Sequence, residues 1–146
     1  MFSHDGLKDV LTHVAAPPLF YEELRREVSR MERNGKRFGI LRLVLAQQNH
    51  SNADVVNFSE CIVRATRGEE LVARLGDHEF AVLVRGDQYA IASLLERILA
   101  RTRDQNHVPV FLSSYIDSHV GEGALDLLNR LDTFALSPSA SEALLT

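Results

Sequence analysis

Residues 71–84 read Leu71-Val72-Ala73-Arg74-Leu75-Gly76-Asp77-His78-Glu79-Phe80-Ala81-Val82-Leu83-Val84. Two short apolar runs, Leu71–Leu75 and Phe80–Val84, flank Gly76-Asp77, so the stretch is expected to fold as a β-hairpin turning at that dipeptide. Upstream, Phe38–Leu45 is apolar at nearly every position, the pattern of a strand covered on both faces, with Arg42 as the exception. Downstream, Val108–Ile116 reads as a fourth strand. Between these runs the apolar period lengthens. Val55, Phe58, Ile62 and Ala65 share one helical side after the polar loop Gln47–Asn52, where Ser51 or Asn52 is a candidate cap. Gly86-Asp87 opens a second helix carrying Ile91, Leu94, Leu95 and Ile98.

The order strand, helix, strand, strand, helix, strand is the ferredoxin-like split βαβ arrangement. The fold class is therefore α/β (α+β), a βαββαβ core with helices expected over one face of an antiparallel sheet. Its expected core includes Leu41, Leu43, Phe58, Ile62, Phe80, Val82, Ile91, Leu94 and Leu131. Phe20, Leu24, Val28 and Met31 recur at helical spacing, with Pro18 in the first turn and Asn34-Gly35 as the stop. Leu7–Leu11 reads as a short helix broken by Pro17-Pro18. A last helix, after Gly121 and Gly123, carries Leu127, Leu131 and Phe134, and Ser137-Pro138-Ser139 ends it. This divides the chain into a lead-in segment (1–17), one domain (18–137) and a frayed tail (138–146).

Composition narrows the function. With 146 residues, 45% apolar and 25% charged, the chain is long enough for one globular domain. A net charge of −4 excludes a general nucleic-acid binder, which needs a basic footprint. No apolar run has the length of a membrane span. Met1–Val10 lacks the basic start and apolar block of a secretion signal. The single cysteine, Cys61, cannot form an internal disulfide, which makes a reducing cytoplasm the expected compartment, and it reads as buried and inert. The six histidines, His4, His13, His50, His78, His107 and His119, show no metal-ligand spacing, so no metal is expected. Arg25, Arg26, Arg30, Arg33, Lys36 and Arg37 alternate with Glu22, Glu23, Glu27 and Glu32, a solvated helix face. No phosphate-binding G-x-x-x-x-G-K, G-x-S-x-G elbow or dinucleotide glycine fingerprint is present.

Arg74-Leu75-Gly76-Asp77-His78-Glu79-Phe80 resembles the signature hairpin of the GGDEF domain, the bacterial diguanylate cyclase family. The five signature positions fall on Gly76, Asp77, His78, Glu79 and Phe80, and the first, fourth and fifth match. Asp9-Val10-Leu11-Thr12 resembles the family's opening D-x-L-T. Phe20 and Leu24 follow where its first helix is apolar. Leu112-Ser113 sits like the serine of the late strand, and Leu131-Asp132 with Ala135-Leu136 echoes the A-D-x-A-L-Y helix.

The resemblance implies GTP bound in each half of a homodimer, with two magnesium ions between paired carboxylates. Those carboxylates align with Val44, Ala46 and His78, so none is kept. The second signature glycine is Asp77, which puts bulk and negative charge towards phosphate. The loop that contacts guanine is shortened to Gln47–Asn52, with Asn52 standing where an aspartate reads the base. The late phosphate-holding lysine and arginine fall near Ser139 and Glu142–Leu144. The opening motif's asparagine and arginine become Ala16 and Pro17. The resemblance thus implies a degenerate member with no catalytic residues and no cofactor.

A second family feature, the inhibitory R-x-x-D site that binds the product cyclic di-GMP, aligns with Arg67-Gly68-Glu69-Glu70. Its partner arginine aligns with Arg97 in Leu95-Glu96-Arg97-Ile98. Two arginines can grip phosphate or a guanine edge with paired donors. The extra methylene of Glu70 displaces its acceptor by about 1.5 Å, a shift that matters at a tight site. Two readings of Arg67 and Glu70 stand: a retained ligand site, or a surface i, i+3 pair at a helix end. Asp77-His78 reads likewise as a bare hairpin tip.

The expected function is a catalytically inactive regulatory module of bacterial cyclic di-GMP pathways, acting through a protein partner or a fused signalling domain, with Arg67, Glu70 and Arg97 as the candidate ligand site. The alternative is an active diguanylate cyclase making cyclic di-GMP from two GTP, using Glu79, an unaligned carboxylate and magnesium. Neither nucleic acid nor membrane is an expected partner. The 146 residues supply no sensor, so a partner in trans or a longer parent protein is implied.

Overall fold

A computed structural model describes residues 6–46, 50–104 and 110–138. In chain order the elements are α1 (Pro17–Asn34), β1 (Phe38–Leu45), α2 (Asn52–Ala65), β2 (Leu71–Gly76), β3 (Glu79–Arg85), α3 (Gln88–Arg103), β4 (Phe111–Asp117), α4 (Ala124–Thr133) and β5 (Ser137–Pro138). The expected features at Val108, in 47–49 and in the tail from Ser139 lie outside the described residues. Among the described residues, no helix is long and apolar enough to cross a membrane.

The strands form one antiparallel sheet in the order β2-β3-β1-β4-β5. The most uniformly apolar strand, β1, takes the centre, where both neighbours and both faces cover it. Leu41, Leu43 and Leu45 point to the side packed by Val55, Phe58 and Ile62 of α2 and by Ile91, Leu94 and Ile98 of α3. Phe38 and Ile40 point to the opposite side, packed by Phe20 and Leu24 of α1 and by Leu127 and Leu131 of α4. Helices therefore cover both faces rather than one. The split βαβ core supplies only α2 and α3, and the flanking helices bring apolar stripes of their own to the second face. The nine expected core residues are all buried. Phe58 anchors the first layer, edge-on to Phe80 with ring centroids 5.6 Å apart and tilted on Phe111 at 5.1 Å.

Local chemistry sets the element ends. Ser51 and Asp54 form a reciprocal capping box on α2 (3.1 Å each way). Asp87 caps α3 by accepting from the Tyr89 and Ala90 amides. Pro17 and Pro18 start α1, and Gly35, at φ 70°, closes it. Gly39 lies where α3 crosses β1, and a Cβ there would run into Ile91 Cδ1.

Four further expectations are corrected. The hairpin turns at Asp77-His78, not Gly76-Asp77, because Gly76 pairs with Glu79 after a bulge at Leu75. The Arg74 guanidinium pins this turn, donating to the carbonyls of Gly76 (3.2 Å) and Asp77 (3.0 Å). Leu7–Leu11 is a turn, not a helix, because the Asp9 carboxylate accepts from the amide (2.8 Å) and hydroxyl (2.6 Å) of Thr12. This lead-in docks on the sheet, with the Ala15 amide and carbonyl bonded to Val72 and Arg74. Phe134 is exposed, because α4 ends at Thr133 and Phe134 leaves its apolar stripe. Ser137-Pro138 continues the sheet, pairing with Ser113 and Leu112 at an edge where proline's missing donor costs nothing.

Candidate functional site

The hairpin tip holds the five signature positions. Phe80 is fully buried in the core. Glu79 begins β3 and accepts two hydrogen bonds on Oε1 from Arg42, from Nη2 at 2.7 Å and Nε at 3.1 Å. Arg42 pairs with Ala81 in the β1–β3 register, so Glu79, two residues along, shares its face. The one carboxylate kept inside the signature is thus already matched to a strand cation. Val44 pairs with Glu79 in the same register, and Ala46 follows β1.

His78, at the turn, lies edge-to-face with His50, which precedes α2. Their ring centroids are 5.5 Å apart and the planes meet at 75°. His50 Nδ1 is 3.8 Å from Asp54 Oδ2. Nothing in the spacing of these histidines announces the contact, because the fold brings together a loop and a turn 28 residues apart. Among the described residues no group of three or more His, Cys, Asp or Glu side chains could hold a metal ion. Magnesium wants octahedral oxygen ligands. Val44 and Ala46 offer none, His78 offers nitrogen, and Arg42 occupies Glu79, so these positions do not fit magnesium.

A separate cleft of about 420 Å³ is lined by Arg67, Gly68, Glu69, Glu70, Arg85, Ala90, Ser93 and Arg97. Arg67, Glu70 and Arg97 meet here. Residues 66–70 are a connection after α2 rather than a helix end, and its turn is closed by the Glu70 amide donating to the Arg67 carbonyl (2.9 Å). The Glu70 carboxylate folds back to accept from the Arg67 amide at 2.6 Å. Arg97 reaches across from α3, donating from Nη2 to Glu70 Oε1 (3.2 Å) and from Nε to the Ala65 carbonyl (2.9 Å). No hydrogen bond or ion pair holds the Arg67 guanidinium among the described residues, and Arg67 is exposed. Periodicity did not point to Arg85, which lines the cleft while donating to Glu27 on α1 (2.8 Å).

Below the tip, Asp9 is fully buried and salt-bridged to Arg74 at 3.1 Å. Burial pushes its carboxyl up, but the Thr12 hydrogen bonds and the Arg74 charge outweigh that and hold it below its ordinary value. Cys61 is buried, and burial pushes its thiol up, away from the reactive thiolate.

No protein-family model matches the chain. No curated protein is significantly similar to it. Solved structures are similar. The GGDEF domain of DgcB from Caulobacter crescentus, in complex with c-di-GMP, superposes with a TM-score of 0.77 at 20% identity, over 90% of this chain and 86% of that one. The GGDEF domain of TpbB (YfiN) from Pseudomonas aeruginosa gives 0.74 at 22% identity, over 86% and 84%. Diguanylate cyclase SiaD from Pseudomonas aeruginosa, in complex with its activator SiaC, gives 0.76 at 20% identity, over 86% of this chain and 55% of that one. The chain has the GGDEF-domain fold.

Proposed function

We propose that this protein is a regulatory module without cyclase activity, which binds cyclic di-GMP in the Arg67–Glu70–Arg97 cleft and passes that state on through protein contacts. The observation that carries the reading is the cleft itself. The Arg67 guanidinium, with no hydrogen-bond or ion-pair partner among the described residues, lines the same cleft as Arg97, which is already oriented by the Ala65 carbonyl and the Glu70 carboxylate. Two such forks suit a dinucleotide with two phosphates and guanine edges. Glu70 offers an acceptor for guanine N–H donors. The DgcB domain was solved with c-di-GMP bound, and SiaD with a protein activator, so both modes of action have precedent on this fold.

The hairpin tip speaks against turnover. Phosphoryl transfer needs a metal clamp and positioned charge. The hairpin tip supplies an apolar strand end, an imidazole pair and a carboxylate occupied by Arg42. The test has two arms: calorimetric titration with cyclic di-GMP of the wild type and of Arg67→Ala and Arg97→Ala, and incubation with GTP and magnesium or manganese.

A further inference from the structure

We propose that His50 and His78 together form a site for one divalent transition-metal ion of the zinc, copper or nickel type. His50 Nε2 and His78 Nδ1 are each buried without a hydrogen-bond partner among the described residues. A buried ring nitrogen left unsatisfied is costly. With the two rings edge to face, one shared electrophile would satisfy both.

The ring geometry agrees with that remedy. Zinc–nitrogen bonds are about 2.0–2.1 Å and the imidazole centre lies about 1 Å further, so two rings on one tetrahedral ion have centroids about 5 Å apart. Here they are 5.5 Å apart with planes at 75°. Asp54 Oδ2 faces the other nitrogen of His50, at 3.8 Å. A carboxylate there favours the proton on Nδ1 and leaves the Nε2 lone pair for metal. The His78 backbone is held, because its carbonyl accepts from the Leu45 amide at 2.9 Å.

Two imidazoles without a carboxylate select against magnesium and for metals that prefer nitrogen. With no third protein ligand among the described residues, the remaining positions are left to water or an added ligand, an open site rather than a closed structural one. The site shares no residue with the arginine cleft, so its test is independent of the ligand reading above.

The test uses untagged protein and the metal alone. Titration with zinc followed by calorimetry should show one ion per chain at neutral pH. Binding should weaken on acidification, because a protonated imidazole has no lone pair to offer a metal. His78→Ala lies at the turn and leaves the core intact, and it should lower affinity about tenfold or more. His50→Gln should do the same, while His119→Ala should not. Copper(II) should give a paramagnetic resonance spectrum with hyperfine splitting from two imidazole nitrogens, lost in His78→Ala. Magnesium should give no heat. Absence of zinc or copper binding up to millimolar metal would overturn the proposal, and so would binding unchanged in the His50→Gln/His78→Ala double variant.

Discussion

Arg97 Nη2 stands 3.2 Å from one oxygen of the Glu70 carboxylate and 3.4 Å from the other. The two residues are 27 positions apart, one on α3 and one in the turn that leads into β2. Their contact orients a guanidinium that lines the cleft before any ligand arrives. It also means that an anionic ligand must compete with Glu70 for Arg97. Pre-orientation favours binding, competition opposes it, and the balance is measurable.

Folding and binding are separable at Arg97. The Arg97–Glu70 pair is partly exposed, so Arg97→Ala is expected to lower stability by only about 1 kcal/mol. That corresponds to a fall in Tm of about 2–4 °C for a domain of this size. Thermal melts followed by circular dichroism check it. Only if Arg97→Ala stays folded does its loss of ligand report on the cleft.

The buried pair should behave very differently. Asp9→Asn leaves the Arg74 charge uncompensated beneath the hairpin, at an expected cost of about 3–5 kcal/mol, read by urea denaturation. Because the folded Asp9 carboxyl is held below its ordinary value of 3.8, its contribution is complete above that pH. It is lost as pH falls through the folded value. The acid limb of the stability curve should therefore be steeper in the wild type than in Asp9→Asn.

Overpacking at Gly39 supplies a third test. A Cβ there would strike Ile91 and sit 2.6 Å from the Ile116 carbonyl oxygen, backbone that cannot step aside. Gly39→Ala should destabilise by about 1–3 kcal/mol. Gly68→Ala, with open space around it, should leave the melting curve unchanged.

Incubation with GTP and magnesium or manganese should yield no dinucleotide above a heat-killed control. Restoring acids at Val44 and His78 should not rescue turnover, because Arg42 still holds Glu79 and Asp77 still stands at the second signature position. Product from the unmodified protein would establish the cyclase alternative.

These expectations rest on features that the sequence revealed unequally. The strands and the helices α2 and α3 were legible because their apolar periods are local, and Phe58, Phe80 and Leu94 fell in the core as periodicity required. The hairpin was legible as a hairpin, but its tip moved by one residue because a bulge at Leu75 is secured by the Arg74 side chain. The lead-in reads locally as a helix because the Asp9–Arg74 pair that docks it joins residues 65 apart, which no local pattern can announce. The second helical layer was missed for a similar reason: the apolar stripes of α1 and α4 were visible, but not the face they would cover.

The site shows the same division. Motif spacing singles out Arg67, Glu70 and Arg97, and the fold brings the three to one cleft. The hold of Arg42 on Glu79 depends on sheet register, and the approach of His50 to His78 depends on how a loop and a turn meet in space. Both are products of tertiary structure alone.

Calorimetric titration of the protein with cyclic di-GMP decides whether the arginine cleft is a binding site. Wild type should give saturable heat, lost in both Arg67→Ala and Arg97→Ala, each shown to be folded. No heat and no change in amide chemical shifts with near-millimolar ligand would contradict it, and the search would then turn to a protein partner alone.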